Sequence, residues 1–163
     1  MKRFLCFLLA AALFLSGCQF SGDRIKDPVT FYYIQNDYQN ELTTVFGSEE
    51  KEASGHRNDL SYLMTLYLMG PASETLRSPI PTGTRINVEA NKKYAVKLQL
   101  SEPAVPISDA DFSMICACLA MTCIELTQTR SVTIVCGNRN VSMTKDNLEL
   151  IDSTMSFTTE ENE

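Results

Sequence analysis

The fold is decided by a change of hydrophobic period in residues 62–90, YLMTLYLMGPASETLRSPIPTGTRINVEA. Gly70 and Pro71 predict the end of a helix, because glycine accepts a left-handed backbone and proline lacks the amide hydrogen that would continue the helix. After Gly83, apolar and polar residues alternate, which is typical of a half-buried strand. The helix before Gly70 is indicated by apolar residues spaced as on one helical face, namely Leu60, Leu63, Met64, Tyr67 and Leu68.

The alternation continues past residues 91–93 and predicts an antiparallel hairpin. The apolar positions are Ile86, Val88 and Ala90 before the turn, and Tyr94, Val96, Leu98 and Leu100 after it. One apolar and one polar side per strand indicate a sheet with one face open to water. We expect the turn itself at residues 91–93, Asn-Lys-Lys.

Similar units lie on both sides of this hairpin. The run VTFYYIQ predicts a strand that returns through residues 41–46, whereas the charged residues 47–57 are expected to form a mobile loop. Ser108 and Asp111 have the spacing of a helix cap before the run ADFSMICACLAMTCIEL. SVTIVC then predicts a strand that ends in a turn at Gly137-Asn138. The predicted order of hairpin, helix, hairpin, helix and hairpin is an α+β fold.

The first residues, MKRFLCFLLAAALFLSGC, have the organisation of an export signal. Two basic residues precede an apolar run that is too short to cross a membrane, since a spanning helix needs about 20 residues. Residues 15–18, Leu-Ser-Gly-Cys, resemble the lipobox of bacterial lipoproteins. In that family the chain is cleaved between Gly17 and Cys18, and the Cys18 thiol carries a diacylglyceryl group. The alternative is an ordinary secretory signal with an incidental cysteine.

Composition divides the chain into four segments. We predict a lipoprotein signal peptide at residues 1–17, a lipidated tether at 18–28, a folded domain at 29–152 and a disordered acidic tail at 153–163. The net charge of −6 argues against nucleic-acid binding, which requires a basic patch. Attraction to an anionic membrane surface is disfavoured for the same reason. Membrane attachment is therefore expected through the lipid on Cys18, at the extracytoplasmic face of the cell membrane.

Catalytic constellations are not recognisable in the sequence. His56 is the only histidine and lies in a charged segment without a nearby Asp or Cys partner. Nucleophile motifs, phosphate-binding loops and cofactor fingerprints are missing as well. We therefore expect neither enzymatic activity nor a cofactor nor a metal.

The cysteines of the folded domain leave three alternatives open: core thiols, one disulfide, or a metal site. On a helix, Cys116 and Cys118 should point about 200° apart, which disfavours a shared metal. Cys116 and Cys123 should lie about 10 Å apart along the helix axis, too far for a disulfide. A bond from Cys136 to Cys116 or Cys123 is compatible with a helix packed on a strand, and Cys123–Cys136 is the candidate pair. Unpaired cysteine also packs well as a small hydrophobe.

The connection at residues 70–84, called the joint below, and its flanks resemble the GerMN domain family, which occurs in lipoproteins of spore-forming and related bacteria. The resemblance rests on Gly70-Pro71 after an apolar helix and on Ser-Pro-Ile-Pro-x-Gly-Thr at residues 78–84, which includes Pro79, Pro81 and Gly83. It extends over about residues 29–151 through the runs FYYIQND, YAVKLQLS and SVTIVCGN, while the cysteine-rich second helix departs from the family pattern. It implies a mostly antiparallel sheet of hairpins with two helices packed on one face, similar in topology to ring-building motifs.

Two functional hypotheses follow from this resemblance and the lipobox. The first is a lipid-anchored binding or scaffold domain with an envelope or sporulation protein as partner, acting in sporulation, germination or cell-envelope assembly. The alternative is a small-ligand receptor for a peptidoglycan fragment, or one associated with a transporter. The identity of the partner, the stage at which it acts and the oligomeric state stay open at this point.

Overall fold

The computed structural model describes residues 25–37 and 44–148. Several predictions fall outside the described residues: the signal peptide, the cleavage site at Gly17 and Cys18, the tether as far as residue 24, and the acidic tail. Residues 149–152 of the predicted domain lie outside them as well.

Helices and strands follow one another in the predicted order, with one further short strand in the joint. They are β1 (Pro28–Gln35), β2 (Phe46–Glu52), α1 (Leu60–Leu68), β3 (Leu76–Arg77), β4 (Ile86–Lys92), β5 (Ala95–Leu100), α2 (Asp109–Thr127), β6 (Ser131–Cys136), β7 (Arg139–Thr144) and a 3-10 helix (Lys145–Leu148). Most neighbouring strands are antiparallel. The predicted α+β class is confirmed.

Both helices begin at a capping side chain, and Ser108 before α2 is the cap that the sequence predicts. The Asp59 carboxylate accepts a hydrogen bond from the Tyr62 amide at 3.1 Å before α1. Before α2, the Ser108 hydroxyl accepts from the Asp111 amide at 3.1 Å and donates to the Asp111 carboxylate at 2.7 Å. Each cap satisfies an amide that the first turn of a helix leaves unpaired.

The first sheet has the strand order β2-β1-β3 and corrects one expectation from the sequence. β2 pairs antiparallel with residues 28–34 of β1, so part of the segment 47–57, expected to be a mobile loop, is an edge strand. The strand shows no apolar period because its half-buried positions include Glu49 and Lys51. The charged pattern follows from what these side chains bind, since both contact the joint after α1.

The second sheet has the order β4-β5-β6-β7. β5 and β6 pair in parallel and are joined by α2, which supplies the crossover that parallel neighbours need. The turn between β4 and β5 is formed by Lys93 and Tyr94, whereas residues 91 and 92 belong to β4. The expectations for the turn at 91–93 and for Tyr94 on the buried face were therefore wrong. The turn at Gly137-Asn138 is as predicted.

Helix α2 lies between the two sheets. The resemblance implies one sheet, but the strands form two, and α2 contacts β1 of the first sheet as well as β6 and β7 of the second. Cys118 accordingly packs in a buried cluster with Ile34 and Phe46, while Cys116 belongs to the main core cluster. A helix that packs on opposite sides needs apolar residues all round. Within the described residues, α2 is long and apolar enough to cross a membrane, with a mean hydropathy of 1.5, and its burial in the fold accounts for that composition.

Both helices complete the hydrogen bonding of β1 on the side that β3 only partly covers. The Thr122 hydroxyl of α2 accepts from the Tyr32 amide at 3.0 Å. The Tyr67 hydroxyl of α1 donates to the Tyr32 carbonyl at 3.0 Å. Thr122 and Tyr67 are fully buried and Tyr32 is half-buried, so a peptide group left without a partner here is costly. The backbone of a single strand residue therefore positions both helices.

Candidate functional sites

The first half of the joint is held by two charged side chains of β2. Gly70 has a φ of +78°, in the left-handed region that glycine adopts without strain. The Glu49 carboxylate accepts hydrogen bonds from the amides of Ala72 at 2.9 Å and Ser73 at 2.8 Å. The Lys51 ammonium donates to the Gly70 carbonyl and lies 3.8 Å from the Glu49 carboxylate. The sequence did not indicate these contacts, because both side chains lie in the segment expected to be a loop.

The proline-rich half of the joint, residues 78–84, consists of tight turns. Ile80 lies between the two prolines and is buried. The Thr84 amide donates to the Pro81 carbonyl at 3.1 Å, and Gly83 inside this turn has a φ of +86°. The turns direct the chain from the first sheet into β4 of the second.

The joint also contributes a strand to the fold. β3 pairs with Ile34 and Gln35 of β1 in the first sheet, and β4 of the second sheet follows a few residues after Pro79 and Pro81. Gly70, Pro71, Pro79, Pro81 and Gly83 thus lie in one connection between the two sheets.

The described cysteines are buried free thiols. The structure thus holds no disulfide among them, including the candidate pair Cys123–Cys136. Burial raises the pKa of Cys116 and that of Cys123 to about 12 each, and raises the pKa of Cys118 further. Thiols that stay protonated are poor nucleophiles, which agrees with a packing role.

The thiol that neighbours Cys136 is that of Cys116. After burial, the charges that act on the pKa of Cys116 are Arg139, which lowers it, and Cys136, which raises it. Burial alone acts on Cys123. The Cys136 thiol donates to the Ser101 carbonyl at 3.9 Å.

A surface cavity of about 310 Å³ opens beside Cys136. Its lining residues are Glu102, Pro103, Ala104, Pro106, Cys136, Gly137, Asn138 and Arg139. The Arg139 guanidinium lies 4.2 Å from the ring centroid of Phe112 and 3.7 Å from the Asp109 carboxylate. The volume is at the small end of the range for ligand pockets, and the lining offers one charged group of each sign. The cavity has room for a small polar ligand.

A second cavity, of about 230 Å³, lies where α2 ends. Its lining residues are Arg57, Asn58, Leu60, Leu63, Asn91, Leu126 and Thr127. Arg57 pairs with the Asp27 carboxylate at 2.7 Å and also donates to the Pro28 carbonyl. The cavity therefore adjoins the start of β1, where the chain enters from the predicted tether.

Tyr94 is an exposed aromatic residue flanked by cations, at the end of the fold where the second cavity lies. Its side chain is 54% exposed. The Lys93 ammonium lies 5.3 Å and the Arg130 guanidinium 5.2 Å from the ring centroid. The Arg130 amide donates to the Tyr94 carbonyl at 3.2 Å, and the Lys145 amide donates to the Arg130 carbonyl at 3.3 Å. The pattern in the sequence that could have revealed this site is Lys-Lys-Tyr at residues 92–94. It lies at the turn between two segments in which apolar and polar residues alternate.

The second sheet presents a polar face away from the core. Lys97, Thr133 and Ser142 lie side by side on neighbouring strands. The Thr133 and Ser142 hydroxyls are 2.9 Å apart, and the Lys97 ammonium pairs with the Glu89 carboxylate at 2.8 Å. These side chains are exposed or half-buried. The face offers hydrogen-bonding groups on a rigid sheet.

Within the described ranges, no group of three or more His, Cys, Asp or Glu side chains is placed to hold a metal ion. His56 is exposed and stacks on the Tyr62 ring with centroids 4.3 Å apart. Gly17 and Cys18 lie outside the described residues.

Comparison with known proteins gives little to set beside this geometry. No protein-family profile matches the chain, and no curated protein matches it significantly. A crystal structure from Clostridium perfringens, described as that of a candidate lipoprotein, is similar over 74% of this chain and 89% of its own, at 15% sequence identity and a TM-score of 0.43. A likeness of this strength assigns neither a family nor a function.

Proposed function

We propose that the chain is a lipid-anchored extracytoplasmic domain of the GerMN type, which binds or scaffolds a protein partner in sporulation, germination or cell-envelope assembly. The observation that carries the proposal is the lipobox-like run that ends at Cys18, followed shortly by the first strand at Pro28. Residues 19–27 span at most about 30 Å when extended. A lipid on Cys18 would therefore hold the folded domain close to the membrane surface.

The assignment to the GerMN type is supported by the joint. Its two signature glycines, Gly70 and Gly83, both have left-handed backbones, and no atom lies within 4 Å of the position that a Cβ would occupy at either residue. Glycine is therefore favoured at both positions by the backbone itself. The motif that carries the resemblance thus has a structural role in connecting the two sheets.

The surface best suited to a protein partner is the polar face of the second sheet, defined by Lys97, Thr133 and Ser142. Its hydroxyl and ammonium groups can pair with a partner, and α2 packs against β6 and β7, which carry the two hydroxyls.

Anchoring is tested by replacing Cys18 with Ala and separating membrane from soluble fractions. The wild-type protein should be in the membrane fraction and its mature N-terminus should carry the mass of a diacylglyceryl group, whereas Cys18→Ala should lack this mass and become soluble. Cys6→Ala is the matched control, because Cys6 lies inside the apolar run and should leave anchoring unchanged. A wild-type protein without the lipid mass would refute the anchor.

The partner surface is tested by photo-crosslinking in growing and in sporulating cells. A photoreactive residue at Ser142, on the polar face, should capture an envelope protein that a probe at Thr65 does not. Thr65 is exposed on α1, away from this face, and serves as the matched control. Equal capture from both positions, or none from Ser142 in either growth state, would count against a scaffold.

A second candidate function is favoured by the 310 Å³ cavity, namely a receptor for a small polar ligand such as a peptidoglycan fragment. Thermal unfolding in the presence of muropeptides would then show a saturable stabilisation. The stabilisation should be lost in Glu102→Ala, because Glu102 lines the cavity, and kept in Glu74→Ala, which lies in the joint. Stabilisation that is equal in both variants would exclude the cavity as its site.

A further inference from the structure

We propose that the end of the domain where the tether enters is itself a membrane-contact surface, which binds anionic lipid headgroups through a basic patch around an exposed tyrosine. The patch consists of Lys92, Lys93, Tyr94, Arg130 and Lys145. Its orientation towards the bilayer rests on the lipid attachment proposed at Cys18, whereas its affinity for anionic lipid does not.

The register of the second sheet brings the patch residues together. Lys92 pairs with Ala95, Ala95 with Ser131, and Ser131 with Thr144, so these positions form one row across all four strands. The chain immediately beyond this row supplies Lys93, Tyr94, Arg130 and Lys145. Two backbone hydrogen bonds, from Arg130 to Tyr94 and from Lys145 to Arg130, fix that order. Residues distant in sequence thus form one continuous surface.

The tether enters at this same end. The Ala53 amide donates to the Asp27 carbonyl at 3.0 Å, and Arg57 pairs with the Asp27 carboxylate. Arg57 lines the 230 Å³ cavity together with Asn91 and Thr127, which adjoin the patch through Lys92 and the end of α2. The start of β1 and the patch therefore belong to one end of the fold.

The patch itself has the opposite sign of charge to the whole chain. Lys92, Lys93, Arg130 and Lys145 are exposed, and within the described ranges none of them forms an ion pair with a carboxylate. The acidic side chains at this end include Asp27, which Arg57 neutralises, together with Glu52 opposite Pro28, Asp59, Glu125 and Asp146. The net charge of −6 predicts no attraction to an anionic surface, but net charge does not describe how charge is distributed. The register of the second sheet concentrates basic side chains in the patch.

Tyr94 gives the patch the chemistry of a membrane interface. Tyrosine is enriched at the headgroup level, where its ring contacts apolar groups and its hydroxyl contacts water and polar groups. At 54% exposure, with a cation on either side, the ring is displayed rather than used in the core. A turn that exposes an aromatic ring between two cations fits a phospholipid surface.

The length of the tether favours lipid over other anionic occupants. Six residues lie between Cys18 and Ile25, so the seven steps from one to the other reach at most about 25 Å. A bilayer holding Cys18 is therefore always within reach of this end. The competing occupant is the chain's own C-terminal segment, which leaves the fold at the same end after Leu148 and carries Glu149, Asp152, Glu160, Glu161 and Glu163.

The test uses residues 18–163 with Cys18→Ser, which removes the lipid and keeps every described contact, and measures co-sedimentation with vesicles. We expect binding to phosphatidylcholine vesicles that contain about 30% phosphatidylglycerol, no binding to phosphatidylcholine alone, and loss of binding in about 0.5 M salt. A basic residue near an anionic surface contributes about a fivefold factor in affinity. Lys93→Gln should therefore weaken binding about fivefold, and Lys92→Gln, Lys93→Gln and Arg130→Gln together about a hundredfold.

The matched control is Arg85→Gln, which removes an exposed cation at the opposite end of β4 and should leave binding unchanged. Equal loss in Lys93→Gln and Arg85→Gln would overturn the proposal in favour of non-specific charge. Absence of binding to anionic vesicles would also overturn it. Binding that appears only after truncation at Leu148 would overturn it in favour of the C-terminal segment as occupant. Because lipid on Cys18 is absent from this assay, its outcome is independent of the anchoring experiment.

Discussion

The contact between Thr122 and the Tyr32 amide gives the sharpest test of how the helices are held on β1. Thr122→Val keeps the shape of the side chain and removes the hydroxyl that accepts at 3.0 Å. The half-buried Tyr32 amide would then lose its partner, which costs up to about 1–3 kcal/mol. For a domain of this size, 1 kcal/mol corresponds to about 4 °C in Tm, so we expect a decrease of about 4–12 °C.

Urea unfolding followed by circular dichroism measures this cost, and amide hydrogen exchange locates it. Thr122→Ser is the control, since it keeps the hydroxyl and loses one methyl group, which costs about 1 kcal/mol. The Tyr32 amide should exchange faster in Thr122→Val than global unfolding requires, and not in Thr122→Ser. If Thr122→Val is as stable as the wild type within about 0.5 kcal/mol, the hydroxyl does not satisfy that amide.

Three further predictions concern the joint and the core thiols. Gly70→Ala should lower the free energy of unfolding by about 1–2 kcal/mol, and Gly70→Asn by less. No atom lies within 4 Å of the position that a Cβ would occupy, so only the left-handed backbone opposes a side chain. Equal loss in both variants, measured by thermal unfolding, would contradict this. Glu49→Gln should lower the free energy of unfolding by about 1 kcal/mol and speed hydrogen exchange of the Ala72 and Ser73 amides, because it replaces a charged acceptor by a neutral one. Unchanged exchange would show that the conformation of the joint does not depend on Glu49. Burial raises the pKa of Cys116 to about 12 from a usual value of 9.0, so the folded state favours the protonated thiol. The free energy of unfolding should therefore fall as the pH rises above about 9. A urea midpoint that rises between pH 8 and pH 10 would refute the burial.

The elements defined by strong local signals are predictable from the sequence. α1 is preceded by an Asp cap and ended by Gly70-Pro71, and α2 is preceded by Ser108. The last hairpin is marked by Gly137-Asn138. In each case the signal is a residue whose own chemistry fixes the backbone, by accepting an amide hydrogen bond or by adopting a positive φ.

The elements that depend on distant partners are not predictable in this way. β2 has charged residues at half-buried positions because Glu49 and Lys51 bind the joint, and no apolar period can reveal such a strand. The turn was predicted at residues 91–93 but lies at Lys93-Tyr94. The prediction was wrong because Tyr94 continues the apolar-polar alternation of β5 although it precedes that strand. Its exposure depends on the carbonyl contact with Arg130, which is distant in sequence.

The arrangement of the cysteines is likewise predictable in part from the sequence. The opposite directions of Cys116 and Cys118 follow from helix geometry and are found in the structure, where they enter different clusters. Their burial on both sides required a second sheet, which local patterns do not indicate. The proximity of Cys136 to Cys116 depends on the register of β6 against α2, which the sequence alone leaves undetermined.

The position of α2 between two sheets makes the fold a single cooperative unit. Loss of either sheet would uncover apolar residues of α2 that the other sheet cannot cover, so neither sheet can open alone at low cost. The hairpins can form locally, but the parallel pair of β5 and β6 must wait until α2 has closed the loop between them. We therefore expect amides in the centres of β1 and β6 to exchange through the same rare opening, although they belong to separate sheets.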